Sequence, residues 1–312
     1  MKRIKKIIFF ILLSLIFIEK ANAGISDSLF MTIGNKPVTK SDVVDEIKII
    51  LILNNESYSD EKRDELHQIA VNSLIKRSIK EIEIEKNNTL KFSKIDLLME
   101  LNQLASNLNI DLDTLKNICE SNALDFSIIE KQMETELLWN SLIFLLYKNR
   151  LQVNNKEIEE RLKIIQNKEE VREYLISEIL LNFSDKDNLE EETKKLINKI
   201  GIEGFESVAK NSSIAESSKY GGDLGWLNEN IISKKLKVAI TNTAIGSLSE
   251  PIMLPEGILI FKIRDIRKIK NNKSLEEIKN EIVKSEKLKI LTMHSLSHYD
   301  KLRRSVSVKF YK

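Results

Sequence analysis

The sequence predicts an α+β protein: a mostly helical N-terminal body completed by the last helix and strand of the chain, plus one compact mixed unit. Three observations carry that prediction. The 312 residues exceed the usual size of a single core, so two compact units are expected. Apolar residues recur at helical spacing through most of the stretch before residue 168, after which short β-rich runs alternate with helices up to residue 268. Finally, three of only nine glycines fall within residues 221–225 of "SSKYGGDLGW", directly before Trp226, and mark a tight turn in the second unit.

The first element is not part of the fold. Lys2, Arg3, Lys5 and Lys6 open the chain, Ile7 to Ile18 is apolar without interruption, and Ala21-Asn22-Ala23 has the small-x-small pattern that signal peptidase accepts. Residues 1–23 therefore read as an export signal cleaved near Ala23. As a helix the apolar run spans only about 18 Å, short of a hydrocarbon core of roughly 30 Å, so an uncleaved anchor and stable membrane insertion are not expected. Cleavage removes Lys2, Arg3, Lys5, Lys6 and Lys20 with Glu19, and the net charge of +2 becomes slightly negative. With 31% charged residues in near balance and no basic tract beyond the start, a nucleic-acid partner is excluded, because tracking phosphates needs a clear basic excess.

In the body, 24–170, residues 29–39 read as a strand and turn. Thr39 and Asp42 form a capping box that opens a helix over 41–53. Helices follow at 61–87, 93–108, 112–121, 127–149 and about 155–168. Ser127-x-x-Glu130 is read as a second capping box, and Ile95, Leu98, Leu101, Ala105 and Leu108 share a helical face. The apolar stretch 137–147 is too short to span a membrane and reads as buried core. A charged connector, 166–173, ends the body.

The mixed unit, 171–268, starts with a strand over 174–181, followed by helices at 188–200 and 203–211, the glycine turn, a helix at 233–242, turn residues with a short strand, and a final strand at 257–266. That is about 95 residues, an ordinary domain size. In the tail, 269–312, Ser274-x-x-Glu277 caps a helix with Leu275, Ile278 and Ile282 on one face, and "SVSVKFYK" alternates like a strand. The mixed unit being complete, that strand is expected to fold back on the unpartnered strand near 29–33.

Isolated reactive side chains read as structural. Cys119 is the single cysteine and suits a core position, so no internal disulfide is possible. His294 and His298 have the i, i+4 spacing of a zinc pair, but Ser295 stands where a zincin needs Glu and no third ligand is evident, so they read as a solvated face and no metal is expected. Glu190, Glu191 and Glu192 ahead of Lys194 and Lys195 read as a solvated helix face.

The glycine cluster fits neither nucleotide motif. A dinucleotide loop would need Gly where Tyr220 stands, and a phosphate-binding loop would need Lys-Ser or Lys-Thr where Trp226-Leu227 stands. "GGDLGW", followed by "LKVAITNTAIGSLSEPIMLPEGILIFKI" with its Gly246-to-Pro251 turn, resembles the parvulin family of peptidyl-prolyl isomerases over about 171–268. An export signal, a helical body, one parvulin-like unit and a returning tail together resemble the SurA-type periplasmic chaperones, whose best-known members carry two such units.

The resemblance implies a peptide groove at Leu224, Ile232, Ser233 and Leu236, and no cofactor. It also places the polar cluster of active parvulins, two histidines and an Asp or Cys, on Glu178, Leu259 and Ala215, with Glu216 the nearest acid. None of these keeps the family residue, and no histidine lies between 171 and 268, so strong isomerase activity is not expected. The implied function is an ATP-independent chaperone binding unfolded or extended polypeptides, outer-membrane proteins as the expected clients. The alternatives are an active isomerase with an altered site and a non-catalytic adaptor holding one fixed partner.

Overall fold

The computed structural model describes residues 28–87, 89–165, 169–181, 189–254, 257–271 and 273–311. The export signal read at 1–23 lies outside these. No helix among the described residues is long and apolar enough to cross a membrane.

The body begins with a hairpin, β1 (Leu29–Ile33) and β2 (Lys36–Thr39), turned by Gly34 at φ 58°. Thr39 then caps α1 (Lys40–Asn54): its hydroxyl accepts from Asp42 N–H at 3.2 Å while the Asp42 carboxylate accepts from Thr39 N–H at 2.7 Å. Such reciprocal capping is worth about 1 kcal/mol. Helices α2 (Arg63–Glu85), α3 (Lys94–Asn107), α4 (Leu112–Ser121), α5 (Phe126–Tyr147) and α6 (Asn155–Ile165) follow. Met31, Ile33, Val38, Val43, Leu74 and Ile79 form one core and Ile49, Leu104, Leu115, Ile129 and Met133 another. Cys119 is fully buried in the second, where burial pushes its thiol pKa up, so it is an inert packing residue.

Three readings are corrected here. Ser127 does not cap α5: Asp125 does, accepting from Ser127 N–H at 2.9 Å, because an acceptor at the N-cap must precede the first helical turn. The apolar stretch 137–147 divides, with Trp139, Leu142 and Ile143 buried and Phe144, Leu145 and Leu146 exposed, since a helix buries only the face that meets a neighbour. The histidines are packed rather than solvated. They lie on α10 (Leu275–Ser305), which crosses α5, so that His294 stacks on Tyr147 at 4.3 Å and His298 Nδ1 lies 2.9 Å from the Tyr147 hydroxyl. Beside them the Trp139 indole donates to Ser295 Oγ at 2.8 Å. Among the described residues no cluster could hold a metal ion.

After α10, β7 (Val308–Phe310) pairs antiparallel with β1, giving the sheet order β2-β1-β7. The mixed unit is a four-stranded antiparallel sheet of order β4-β3-β6-β5, built from β3 (Glu170–Leu181), β4 (Asp223–Asn228), β5 (Ile252–Leu254) and β6 (Gly257–Lys270). Both central strands outrun the expected 174–181 and 257–266. Their charged ends form a ribbon in which Arg267 reaches Glu173 at 2.6 Å and Lys268 approaches Glu170 at 3.8 Å, so part of the polar connector is strand.

One face of this sheet packs on α7 (Leu189–Glu203) and α8 (Phe205–Ser212) through Ile179, Ile258, Ile260, Phe205 and Val208. The opposite face gathers Tyr174, Ile176, Leu180, Leu259, Phe261 and Ile263 beneath α9 (Lys234–Thr241). Strand alternation alone sorts these two sets.

Candidate functional site: an apolar cradle with one carboxyl

The cradle is the α9 face of the mixed unit. Glu178 pairs with Phe261 across β3 and β6, and alternation puts it on this face between Ile176 and Leu180. The glycine turn fixes its backbone: Glu178 N–H donates to the Gly222 carbonyl at 2.8 Å. Gly222 sits at φ 80°, and a Cβ there would lie 2.2 Å from the Glu178 carbonyl oxygen, so only glycine allows this approach. Gly221 and Gly225, each at φ 66°, supply the rest of the turn. Trp226 emerges on β4 opposite Leu175, with the Arg267 guanidinium 4.1 Å over its ring.

The side chain of Glu178 is half-buried and accepts one hydrogen bond, from Ser217 Oγ at 2.9 Å. Burial raises its pKa, and the Ser217 hydroxyl offsets this only in part. Ser217 lies on the short 3₁₀ turn 216–220 just before the glycines, and sequence reasoning missed it because nothing in "ESSKY" separates a surface serine from one aimed at a strand 39 residues away.

The other positions implied by the resemblance are apolar in fact as well as in sequence. Ala215 and Leu259 are both buried members of the cluster, Leu259 lying opposite Leu180 and Ile252. Glu216 does not join Glu178. Burial raises its pKa, Lys80 opposes this, Glu136 adds to it, and Lys219 and Lys76 oppose it more weakly, so Glu216 feels charges of the helical body at Lys80, Glu136 and Lys76. Of the expected groove residues, Ile232 is buried in the cradle floor, and Leu224 and Leu236 pack half-buried against it. Ser233 serves a local purpose: its hydroxyl caps α9, accepting from Leu236 N–H at 3.4 Å.

The segment beside the cradle also docks onto the body. Lys219 bonds Glu100 of α3 at 2.7 Å and the Tyr220 hydroxyl donates to the same carboxylate. Burial, with the hydrogen bond to Glu100, pushes the Tyr220 pKa up to about 12, and Lys219 opposes the rise. Farther along, Ser207 Oγ donates to Glu56 at 3.0 Å. Leu296 of α10 packs against the cradle cluster itself. The arrangement is an apolar cluster with Leu224 and Leu236 half-buried at its rim, whose polar groups include the hydroxyl-bonded Glu178 carboxyl and the buried Tyr174 hydroxyl, with no imidazole between 171 and 268.

Residues 160–267 match the family model of the PPIC-type PPIASE domain. The chaperone SurA of Idiomarina loihiensis is 23% identical over 255 residues, covering 78% of this chain and 58% of that protein. The foldase protein PrsA of Geobacillus kaustophilus is 36% identical over 110 residues, 34% of this chain and 37% of that one. Among solved structures, one from a study of the SurA-like chaperones PEB4 and Cj1289 of Campylobacter jejuni covers 92% of this chain and 100% of that one, at 12% identity and a TM-score of 0.36. The chain thus spans little more than half the length of the SurA protein it matches. Residues 160–267 therefore resemble a PPIC-type PPIASE domain, and over most of its length the chain resembles the SurA chaperones.

Proposed function

We propose that this chain is an exported, ATP-independent holding chaperone for unfolded or extended polypeptides, outer-membrane proteins among them, with an isomerase-like unit of little or no catalytic strength. In this reading 1–23 is the signal, 24–170 with 269–312 is the chaperone body, and 171–268 is a peptide cradle with Leu224, Ile232, Ser233 and Leu236 along its groove. The observation that carries the reading is the cradle itself: of Glu178, Ala215 and Leu259, which the resemblance sets against the polar cluster of an active parvulin, two are buried hydrocarbon. Rotating a prolyl amide means crossing about 18–20 kcal/mol, and one carboxyl bonded to a serine lacks the paired imidazoles that would help. Shape-tolerant apolar contact remains, and it suits many clients held briefly.

The test measures two activities on the same preparation. Aggregation of several unrelated unfolded barrel proteins is followed with and without the chain, and isomerisation of a proline tetrapeptide is followed in parallel. Holding is expected against all clients, with isomerisation near the uncatalysed rate. Brisk isomerisation that is abolished by Leu236→Glu, with no holding, overturns the reading in favour of an altered-site isomerase. Tight binding of one protein with indifference to unfolded clients overturns it in favour of an adaptor.

A further inference from the structure

The three-stranded sheet of the body has two outer edges, and they differ. Opposite β2, Thr32 pairs with Pro37; opposite β7 it pairs with Lys309. Tyr311 N–H donates to the Phe30 carbonyl and Gly34 N–H to the Ser307 carbonyl. In an antiparallel ladder of this register, 307, 309 and 311 therefore turn their backbone groups toward β1, while Val308 and Phe310 turn theirs outward. By the same alternation the nitrogen of Pro37 faces the outer edge of β2, where it has no hydrogen to offer. Beside it Lys36 is held by Glu81 and Glu85 at 2.6 and 2.7 Å, so that edge resists further pairing. The β7 edge carries no proline, so both its outward residues keep their N–H, and among the described residues no strand lies beyond it.

Next to the outward row of β7 lies an open groove of about 700 Å³, its apolar side formed by Phe30, Val71, Ile75, Val308 and Phe310 and its polar side by residues including His67, Asp64 and Arg303. Phe310 is 59% exposed, with its ring edge-on to Phe30 at 5.7 Å. The tail beside the groove is basic, with Lys301, Arg303, Arg304 and Lys309 all exposed and no acid between 301 and 311, while Asp64 is the acid that lines the groove.

We propose that this edge is a strand-addition site for an extended polypeptide of alternating apolar and acidic residues. The guest pairs its backbone with Val308 and Phe310, seats an aliphatic or aromatic side chain against Phe30 and Val71 on the groove face, and sets its carboxylates on the opposite face near Lys309. Backbone pairing accepts many sequences, while the groove and its charge choose among them. A pairing row of only two residues makes the contact weak and reversible. The inference rests on the holding reading and deepens it by naming how a client segment is gripped.

The experiment titrates the full chain into a fluorescein-labelled peptide of ten alternating Glu and Phe or Val residues and reads anisotropy. Three comparisons accompany it: the same peptide N-methylated at alternate backbone nitrogens, the same peptide with Lys for Glu, and the Val308→Pro chain. Proline at 308 deletes an outward N–H and none of the donors to β1, and thermal unfolding checks that the variant folds. The N-methylated peptide decides the question if it does not. Binding at least tenfold weaker is expected with the methylated peptide and with Val308→Pro, and at least fivefold weaker with the Lys peptide. Hydrogen exchange at Val308 and Phe310 is expected to slow on adding peptide, with Lys309 and Tyr311 unchanged. Equal binding of the methylated peptide, or unchanged exchange at 308 and 310, overturns the edge site. No peptide binding with retained holding of unfolded proteins overturns the edge site alone; loss of both overturns the holding reading as well.

Discussion

The two sheets of this molecule close in opposite ways. All four strands of the mixed unit lie between residues 170 and 270, and its cradle is set by a turn, 221–225, that touches the strand it follows by about forty residues. The three-stranded sheet joins Met31 to Phe310, and the body around it is sealed by α10, which brings Ser295 to Trp139. The first unit is thus nearly local and the second closes only once residues 308–310 have been made. Late-closing, long-range contacts are the slower and more easily opened kind. Placing the client-holding reading on the body and the rigid cradle on the local unit follows the same division.

The comparison breaks most sharply at Trp139. Trp139→Ala empties a fully buried site and strands the Ser295 hydroxyl, so a loss of about 3–5 kcal/mol is expected in the body. Urea unfolding should then show two separated steps, with the step that reports the 171–268 unit unmoved. A single shifted transition would mean that the two regions fold as one. Gly222→Ala does the converse. A methyl 2.2 Å from the Glu178 carbonyl, at φ 80°, should cost the mixed unit about 3 kcal/mol and leave the body step in place.

Thr39→Ala removes one half of a capping box and should lower the body step by about 1 kcal/mol, read from the urea midpoint. Glu178→Gln sharpens the contrast through pH. Because burial raises this carboxyl above its ordinary value, the folded unit holds the proton more tightly than the unfolded chain. The associated stability is complete below the unfolded carboxylate pKa and is lost as pH rises through the raised one. The variant should erase that decline in the mixed unit and gain on the order of 1 kcal/mol at neutral pH, seen as a flatter plot of Tm against pH. Glu100→Gln should move least. Its pair with Lys219 is half-exposed, so under about 1 kcal/mol is expected, and a spin-label distance between α3 and the 216–220 turn should broaden rather than shift.

Much of the architecture is legible from local rules. The capping boxes at Thr39 and Ser274 are where the pattern puts them, because a cap and its reciprocal acid lie three residues apart and answer only to each other. Ser127 misled because the same spacing with an Asp two residues earlier offers two possible caps, and geometry takes the earlier. Ile95 and Leu98 show the limit of periodicity: they share helical spacing with buried Leu101 and Ala105 but stay exposed, because spacing does not say whether a neighbour arrives to cover each turn. The cradle was half legible. Its apolar lining and missing imidazoles follow from residue identity, whereas the Ser217 bond to Glu178 and the grip of Glu100 on the neighbouring turn join residues with no shared pattern.

The sequence by itself determined the α+β class, the glycine turn and the absence of histidine from 171–268, since each depends on residue type and short spacing. The tertiary structure alone decided that His294 and His298 are packed against Tyr147, that Glu178 has a hydroxyl partner, and that β7 leaves one guarded edge and one open one. The physical reason is reach: propensity, capping and periodicity act over a few residues, while burial, pairing and edge exposure depend on which distant segment arrives alongside.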